Sequence, residues 1–124
     1  MQRILLIDDE PAILAAVGDY LRRRGYAVNV AHGRAEAEAL LQEHGYDCVI
    51  SDLELENASA DRGIQLVASV LRQWPKARVV VLTANSHLRY EREAVALGVD
   101  AFLLKPIPLA NLARIVGALL AGPR

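Results

Sequence analysis

The chain alternates short apolar runs with longer stretches in which apolar residues recur at helical spacing. Five runs read as strands: RILLID over 3–8, AVNVA over 27–31, CVISD over 48–52, RVVVLT over 78–83 and AFLLK over 101–105. Several are apolar almost without interruption, as befits strands covered on both faces, so a parallel sheet between helix layers is expected. Between them, Ile13, Leu14, Val17 and Leu21 share one helical face, closed by RRRG, where basic residues and then Gly25 suit a helix C-terminus. RAEAEALLQEHG over 34–45 is built from strong helix formers and again ends at glycine. Ile64, Val67, Ala68 and Leu71 stripe a third helix, stopped by Trp74-Pro75. A fourth, over 88–98, is charged early and apolar late; a fifth, over 109–122, sets Leu109, Leu112, Ile115, Val116 and Leu119 on one side.

Five successive strand-helix units predict a doubly wound α/β fold. With 124 residues the chain can bury a core without disulfides or structural metal, and no repeat or internal linker divides it, so a single domain over 1–124 is expected. AGPR at the C-terminus could begin a linker. The composition, 53% hydrophobic and 23% charged, is that of a folded globule. A net charge of −1 gives no electrostatic reason to expect direct contact with nucleic acid or membrane. Cys48 is the single cysteine, which excludes an intramolecular disulfide or a CxxC site and suggests a reducing compartment; its apolar neighbours mark it as buried and inert. RILLI follows the N-terminus at once, without the pattern of a signal peptide, and no apolar run approaches spanning length, so a cytoplasmic location is expected.

In an open parallel sheet, ligands bind beyond the carboxyl ends of the strands. There the first strand delivers Asp8 and Asp9, the third Asp52, the fourth Thr83 and the fifth Lys105. Each alone has an ordinary explanation. Asp9 ahead of Glu10-Pro11 suits a helix N-cap, Asp52 a turn, Thr83 a second cap, and Lys105 a snorkelling surface residue. Those explanations do not predict that all should fall at the same sheet edge. Three carboxylates converging there would either raise a pKa or recruit a cation. A hard divalent ion, Mg²⁺ or alternatively Mn²⁺, suits such oxygen ligands. A carboxylate can also act as a nucleophile toward phosphorus.

LLIDDE, DCVISD, VVVLTA and DAFLLKP, in that order, resemble the CheY-like receiver domains of bacterial two-component response regulators. The resemblance covers essentially the whole chain. It implies a flavodoxin-like (βα)5 fold with a five-stranded parallel sheet in the order 2-1-3-4-5. It further implies that Asp52 accepts a phosphoryl group, that Asp8, Asp9, Asp52 and the backbone carbonyl of Glu54 hold the metal, and that Thr83 and Lys105 contact the phosphoryl group. Phe102 would be the switch aromatic and Lys105-Pro106 a cis peptide. The expected partners are a sensor histidine kinase or a histidine phosphotransfer protein, and a downstream effector protein or effector domain. Homodimerisation through the fourth helix, fifth strand and fifth helix could follow phosphorylation. Such a domain is a signalling switch that catalyses only its own phosphorylation and dephosphorylation, either standing alone or as part of a larger regulator or hybrid kinase.

Other classes fit less well. DLEL loosely resembles the Asp-x-Asp of haloacid-dehalogenase-like phosphohydrolases, but those place the nucleophile before the metal-binding acids. An FMN carrier would need a phosphate-cradling loop where DDEP stands, and bare carboxylates repel phosphate. A receiver-like binding module that works without phosphorylation would not need the full residue set. The chain departs from the receiver pattern after Asp52, where LELENASADRG is longer than usual and lacks Met-Pro or Leu-Pro before the glycine. Glu54 and Asn85 occupy variable family positions that can tune water attack, although solvated loop polarity is the simpler account. His32, His44 and His87 lack metal-ligand spacing and read as surface residues. Tyr90 to Glu93 could join a dimer face, but charges there are more simply solvated.

Overall fold

The computed structural model describes residues 1–123. The elements run β1 (Arg3–Ile7), α1 (Pro11–Arg23), β2 (Ala27–Ala31), α2 (Arg34–Glu43), β3 (Cys48–Ser51), α3 (Ala60–Gln73), β4 (Arg78–Thr83), α4 (Leu88–Leu97), β5 (Ala101–Leu104) and α5 (Leu109–Ala121). All five strands are parallel, in the order β2-β1-β3-β4-β5. The expected flavodoxin-like fold is therefore the one observed.

Side chains alternate across the sheet and divide the core in two. Leu5, Ile7, Val49, Val79 and Val81 pack with residues of α2, α3 and α4, among them Leu41, Leu66, Val67, Val70 and Ala94. Ile4, Leu6, Cys48, Ile50, Val80 and Leu82 face the other way, against Leu14, Val17 and Leu21 of α1 and Leu112 and Val116 of α5. Burial on both faces explains why the central strands are apolar throughout. Cys48 lies wholly inside this second layer, and burial pushes its thiol up to about 12, in keeping with an inert side chain.

Helix starts and stops mostly follow local chemistry. Pro11 opens α1, Arg22 and Arg23 occupy its last turn, and Gly25 supplies the left-handed turn beyond it (φ 100°). Two details differ from the sequence pattern. First, α3 begins at Ala60, so the long polar stretch after Asp52 is shorter as a loop than it reads, and Gly63 lies within the helix. A Cβ at Gly63 would stand 2.0 Å from the Leu53 carbonyl oxygen; this close approach draws the core face of α3 onto Gly63, Leu66, Val67 and Val70. Ile64, Ala68 and Leu71 are only partly buried, at the edge of that face. Second, the apolar late part of α4 enters the core only through Ala94, whereas Val95 is 60% exposed. Among the described residues, no helix is long and apolar enough to cross a membrane.

Candidate functional site

Strand register assembles the acidic edge. Ile7 of β1 pairs with Ser51 of β3, so the residues that follow, Asp8 and Asp52, leave the two central strands side by side. Their backbones are fixed by the sheet: the Asp52 N–H donates to the Ile7 carbonyl at 3.0 Å, and the Asp8 N–H to that of Ala31 at 3.1 Å. Lys105 follows β5, and its N–H donates to the Thr83 carbonyl at 2.9 Å, placing a long side chain at the same edge. Lys105-Pro106 is cis.

Asp8 and Asp52 are held in the same way. One oxygen of each accepts from the backbone two residues on: Asp8 Oδ1 from the Glu10 N–H at 2.9 Å, and Asp52 Oδ1 from the Glu54 N–H at 3.1 Å. The other oxygen of each faces Lys105 Nζ, at 2.6 Å for Asp8 and 2.8 Å for Asp52. All three side chains are largely removed from solvent. In this arrangement Lys105 offsets part of the charge of the acidic corner, with Glu10 Oε1 at 3.6 Å as a further partner. Burial raises the Asp8 pKa above the usual carboxylate value, although hydrogen bonds from Lys105 and the Glu10 backbone oppose the shift. Burial likewise works against the Lys105 ammonium, but the hydrogen bonds and attraction of Asp52 and Asp8 outweigh it, and its pKa lies above the ordinary lysine value.

Asp9 and Glu10 point into solvent. The capping explanation for Asp9 does not hold: Glu10 occupies the N-cap position of α1 without a side-chain cap bond, and Asp9 Oδ2 instead accepts from the Glu56 N–H at 3.1 Å. Carboxylate oxygens of Asp8, Asp9 and Glu10 lie within 4.8 Å of one another. Three hard oxygen donors so close fit a divalent cation of the Mg²⁺ type. Asp52 is outside that trio, next to Asp8 across the lysine. Glu10 was not among the donors expected from sequence, where it reads as part of a helix start, yet the acidic triplet itself was the available signal. The backbone of Glu54 meets Asp52 through its N–H.

Thr83 is fully buried at the end of β4, and its Oγ1 accepts from the Asn85 N–H at 3.2 Å. Thr83 therefore shapes the β4–α4 loop, while the N-cap of α4 is His87. Asn85 is more than solvated polarity, since its Oδ1 accepts from the His87 N–H at 2.9 Å. His87 remains exposed but its Nδ1 accepts from the Arg89 N–H at 3.2 Å. Phe102 pairs with Val81 in the sheet and packs partly buried on the α2–α4 side, the face to which strand alternation also assigns Thr83. Arg89 bridges Asp61 of α3 at 2.9 Å and Glu93 at 3.0 Å, and Tyr90 packs against the core.

The family model of the response regulator receiver domain matches residues 4–117. The chain belongs to that family. Among curated relatives, the alginate biosynthesis transcriptional regulatory protein AlgB of Pseudomonas putida is 39% identical over 104 residues, or 84% of this chain. The receiver chain spans only 22% of the length of AlgB. Among solved structures, a Burkholderia pseudomallei response regulator with a phosphorylated aspartic acid, calcium ion and citrate is 32% identical. It superposes with a TM-score of 0.83 over 95% of this chain and 72% of that one. The response regulator TrrA of Thermotoga maritima, in complex with Mg²⁺-BeF, is 30% identical with a TM-score of 0.82, over 96% and 99% of the two chains.

Proposed function

We propose that this receiver domain is a phosphorylation-activated switch in which Asp52 takes a phosphoryl group from the phosphohistidine of a sensor histidine kinase or phosphotransfer protein. The observation that carries the reading is the pairing of Asp52 with Asp8 across one lysine ammonium, at the carboxyl ends of the two central strands. Asp52 Oδ2 attacks phosphorus, the P–N bond to the donor imidazole breaks, and its electron pair stays with the departing ring. No general base is required, because a carboxylate nucleophile attacks through an oxygen lone pair and has no proton to give up.

Asp8, Asp9, Asp52 and the backbone carbonyl of Glu54 would hold a divalent cation, Mg²⁺ or Mn²⁺, and Glu10 is close enough to Asp8 and Asp9 to join them. When bound, the cation neutralises charge that accumulates on phosphoryl oxygens. That metal-bearing regulators of Burkholderia and Thermotoga share the fold supports this assignment. Lys105 supplies the fixed positive charge on the other side. Its ammonium already touches Asp52 Oδ2, so it can follow the negative charge onto a phosphoryl oxygen as that oxygen arrives.

Thr83 then donates its hydroxyl proton to a phosphoryl oxygen, giving up its present place in the β4–α4 loop. Phe102 on the same face takes up the space that this movement changes, and the α4-β5-α5 surface is remodelled. The readout is a downstream effector protein or domain, or a homodimer formed through that surface. AlgB, a transcriptional regulatory protein, supports a role in gene regulation when the receiver acts within a longer chain. The domain works as a cytoplasmic signalling module and catalyses only its own phosphorylation and dephosphorylation.

Incubation with Mg²⁺ and acetyl phosphate, followed by intact mass, tests the reading. Native protein should gain one phosphoryl group, lose it slowly, and fail to gain it without Mg²⁺, whereas Asp52→Asn should stay unmodified. Equal labelling of the variant, or none of the native chain, would overturn it.

A further inference from the structure

Glu56 stands four residues past Asp52 in the stretch that departs from the receiver pattern, and it touches two separate parts of the protein. Its backbone N–H donates to Asp9 Oδ2 at 3.1 Å. Its carboxylate Oε1 accepts from the Arg34 N–H, the first of α2, at 3.2 Å. The N-cap of α2 is Gly33, which has no side chain to cap the helix, so the carboxylate of Glu56 serves that helix from a distant loop. The fit is close: a Cβ added at Gly33 would stand 1.6 Å from Glu56 Oε1, and the three nearest atoms all belong to the Glu56 side chain. Gly33 has an extended backbone (φ −165°), so its lack of a side chain answers to Glu56 and not to backbone strain.

Glu56 and Asn57 themselves both adopt positive φ, at 54° and 60°, which turns the loop sharply at this point. A turn held at its tip by a helix end can aim the Glu56 N–H in a fixed direction. That direction is toward Asp9, an exposed carboxylate that accepts this one hydrogen bond among the described residues. A solvated aspartate otherwise samples several rotamers, and each must be given up to bind a cation.

We propose that Glu56 is a positioning residue for the divalent-cation site: docked in the space left by Gly33 at the start of α2, it holds its backbone N–H against Asp9 and so keeps that carboxylate beside Asp8 and Glu10. The inference rests on the reading of Asp8 and Asp9 as cation ligands. It also ties the cation site to α2, a helix that Thr83 and Phe102 do not contact through the hydrogen bonds described above.

The experiment is calorimetric titration of Mg²⁺ into the full chain and four variants, with thermal melting in EDTA as the control for fold. Glu56→Ala frees the loop and should weaken Mg²⁺ binding about tenfold, the usual scale for losing support behind a metal ligand. Glu56→Gln retains an acceptor for the Arg34 N–H and should restore most of the affinity. Gly33→Ala pushes a methyl group into the Glu56 carboxylate and should weaken binding as Glu56→Ala does. The decisive variant combines both changes. With the carboxylate gone the three atoms nearest the methyl are removed, so Glu56→Ala/Gly33→Ala should bind Mg²⁺ no worse than Glu56→Ala alone. A merely structural role would lower the melting temperature without moving the Mg²⁺ affinity.

Native affinity in Glu56→Ala, or additive losses in the double variant, would overturn the proposal while leaving the cation site standing. Absence of Mg²⁺ binding by the native chain would remove the cation reading itself, and the proposal with it.

Discussion

Lys105 Nζ lies 2.6 Å from Asp8 Oδ2, a contact between residues 97 positions apart that sets the electrostatics of the whole edge. Because Asp52 shares the same ammonium, the lysine is more easily protonated in the fold than in the unfolded chain. Its contribution to stability is then fully present below the ordinary lysine pKa, about 10.4, and is lost as pH rises through the higher folded value. Urea unfolding of native protein and Lys105→Met should therefore differ by a constant amount through neutral pH. The difference should shrink above about pH 10. Taking the difference removes the alkaline loss that Tyr46, whose pKa burial also raises, contributes to both proteins. A difference that grows with alkaline pH would contradict the pairing.

The Asp8 pKa is raised as well, so its pH dependence runs the same way as that of Lys105, but its transition lies far lower and at neutral pH it costs stability where Lys105 supplies it. Burial raises its pKa in the fold, so the ionised form is disfavoured relative to the unfolded chain, and stability rises as pH falls through the folded value toward the ordinary one. Asp8→Asn should consequently melt above native protein in EDTA at neutral pH. The advantage should vanish near the ordinary aspartate pKa, about 3.9, where native Asp8 is protonated. The same variant should lose Mg²⁺ binding in titration, which would show a group that lowers stability in order to bind a cation.

Gly63 separates two effects that pull in opposite directions. Alanine inside a helix is ordinarily better than glycine by about 1 kcal/mol. At this position the new Cβ would lie 2.0 Å from the Leu53 carbonyl oxygen and 2.4 Å from its Cα, and backbone atoms cannot rotate away. Overpacking of that kind costs about 1–3 kcal/mol or more and should prevail. Gly63→Ala should lower the melting temperature, and because Leu53 follows Asp52 directly, it should also slow phosphorylation by acetyl phosphate. A stabilised variant would show that the α3 contact on this loop is loose.

What sequence made legible was whatever depends on strand ends. Asp8, Asp52, Thr83 and Lys105 each follow an apolar run; the order β2-β1-β3-β4-β5 sets Asp8 and Asp52 on neighbouring strands, and the long Lys105 side chain reaches both from β5. The contacts made by loops were not legible. Nothing in LELEN announces that Glu56 adopts positive φ without being glycine, or that its carboxylate fills the space of Gly33, 23 residues earlier. The face of α3 was displaced for a similar reason. Periodicity gives a stripe through Ile64, Val67, Ala68 and Leu71, of which Val67 is buried, but the close approach of Gly63 to Leu53 centres the face on Gly63, Leu66, Val67 and Val70. His87 looked like an unremarked surface histidine because a histidine cap leaves no pattern of its own.

That cap links the buried threonine to the output surface. Thr83 Oγ1 accepts from the Asn85 N–H, Asn85 Oδ1 from the His87 N–H, and His87 Nδ1 from the Arg89 N–H, a continuous chain from the end of β4 into the first turn of α4. Beyond the Arg89–Asp61 bridge and the packing of Tyr90, α4 has little core contact, since Ala94 is its buried residue and the apolar Leu88 and Val95 are exposed. Loss of an N-cap costs about 1 kcal/mol in helices generally, and a helix with so little core contact should feel it locally. His87→Ala should speed amide hydrogen exchange through residues 88–97 more than elsewhere, while His87→Asn, which retains a side-chain acceptor, should stay close to native. If Thr83 turns toward a phosphoryl group, the first bond of this chain opens, and beryllofluoride with Mg²⁺ should raise exchange at the same amides in native protein. The increment should be smaller in His87→Ala, where the chain is already broken. An equal increment in both proteins would show that the signal leaves Thr83 by another route.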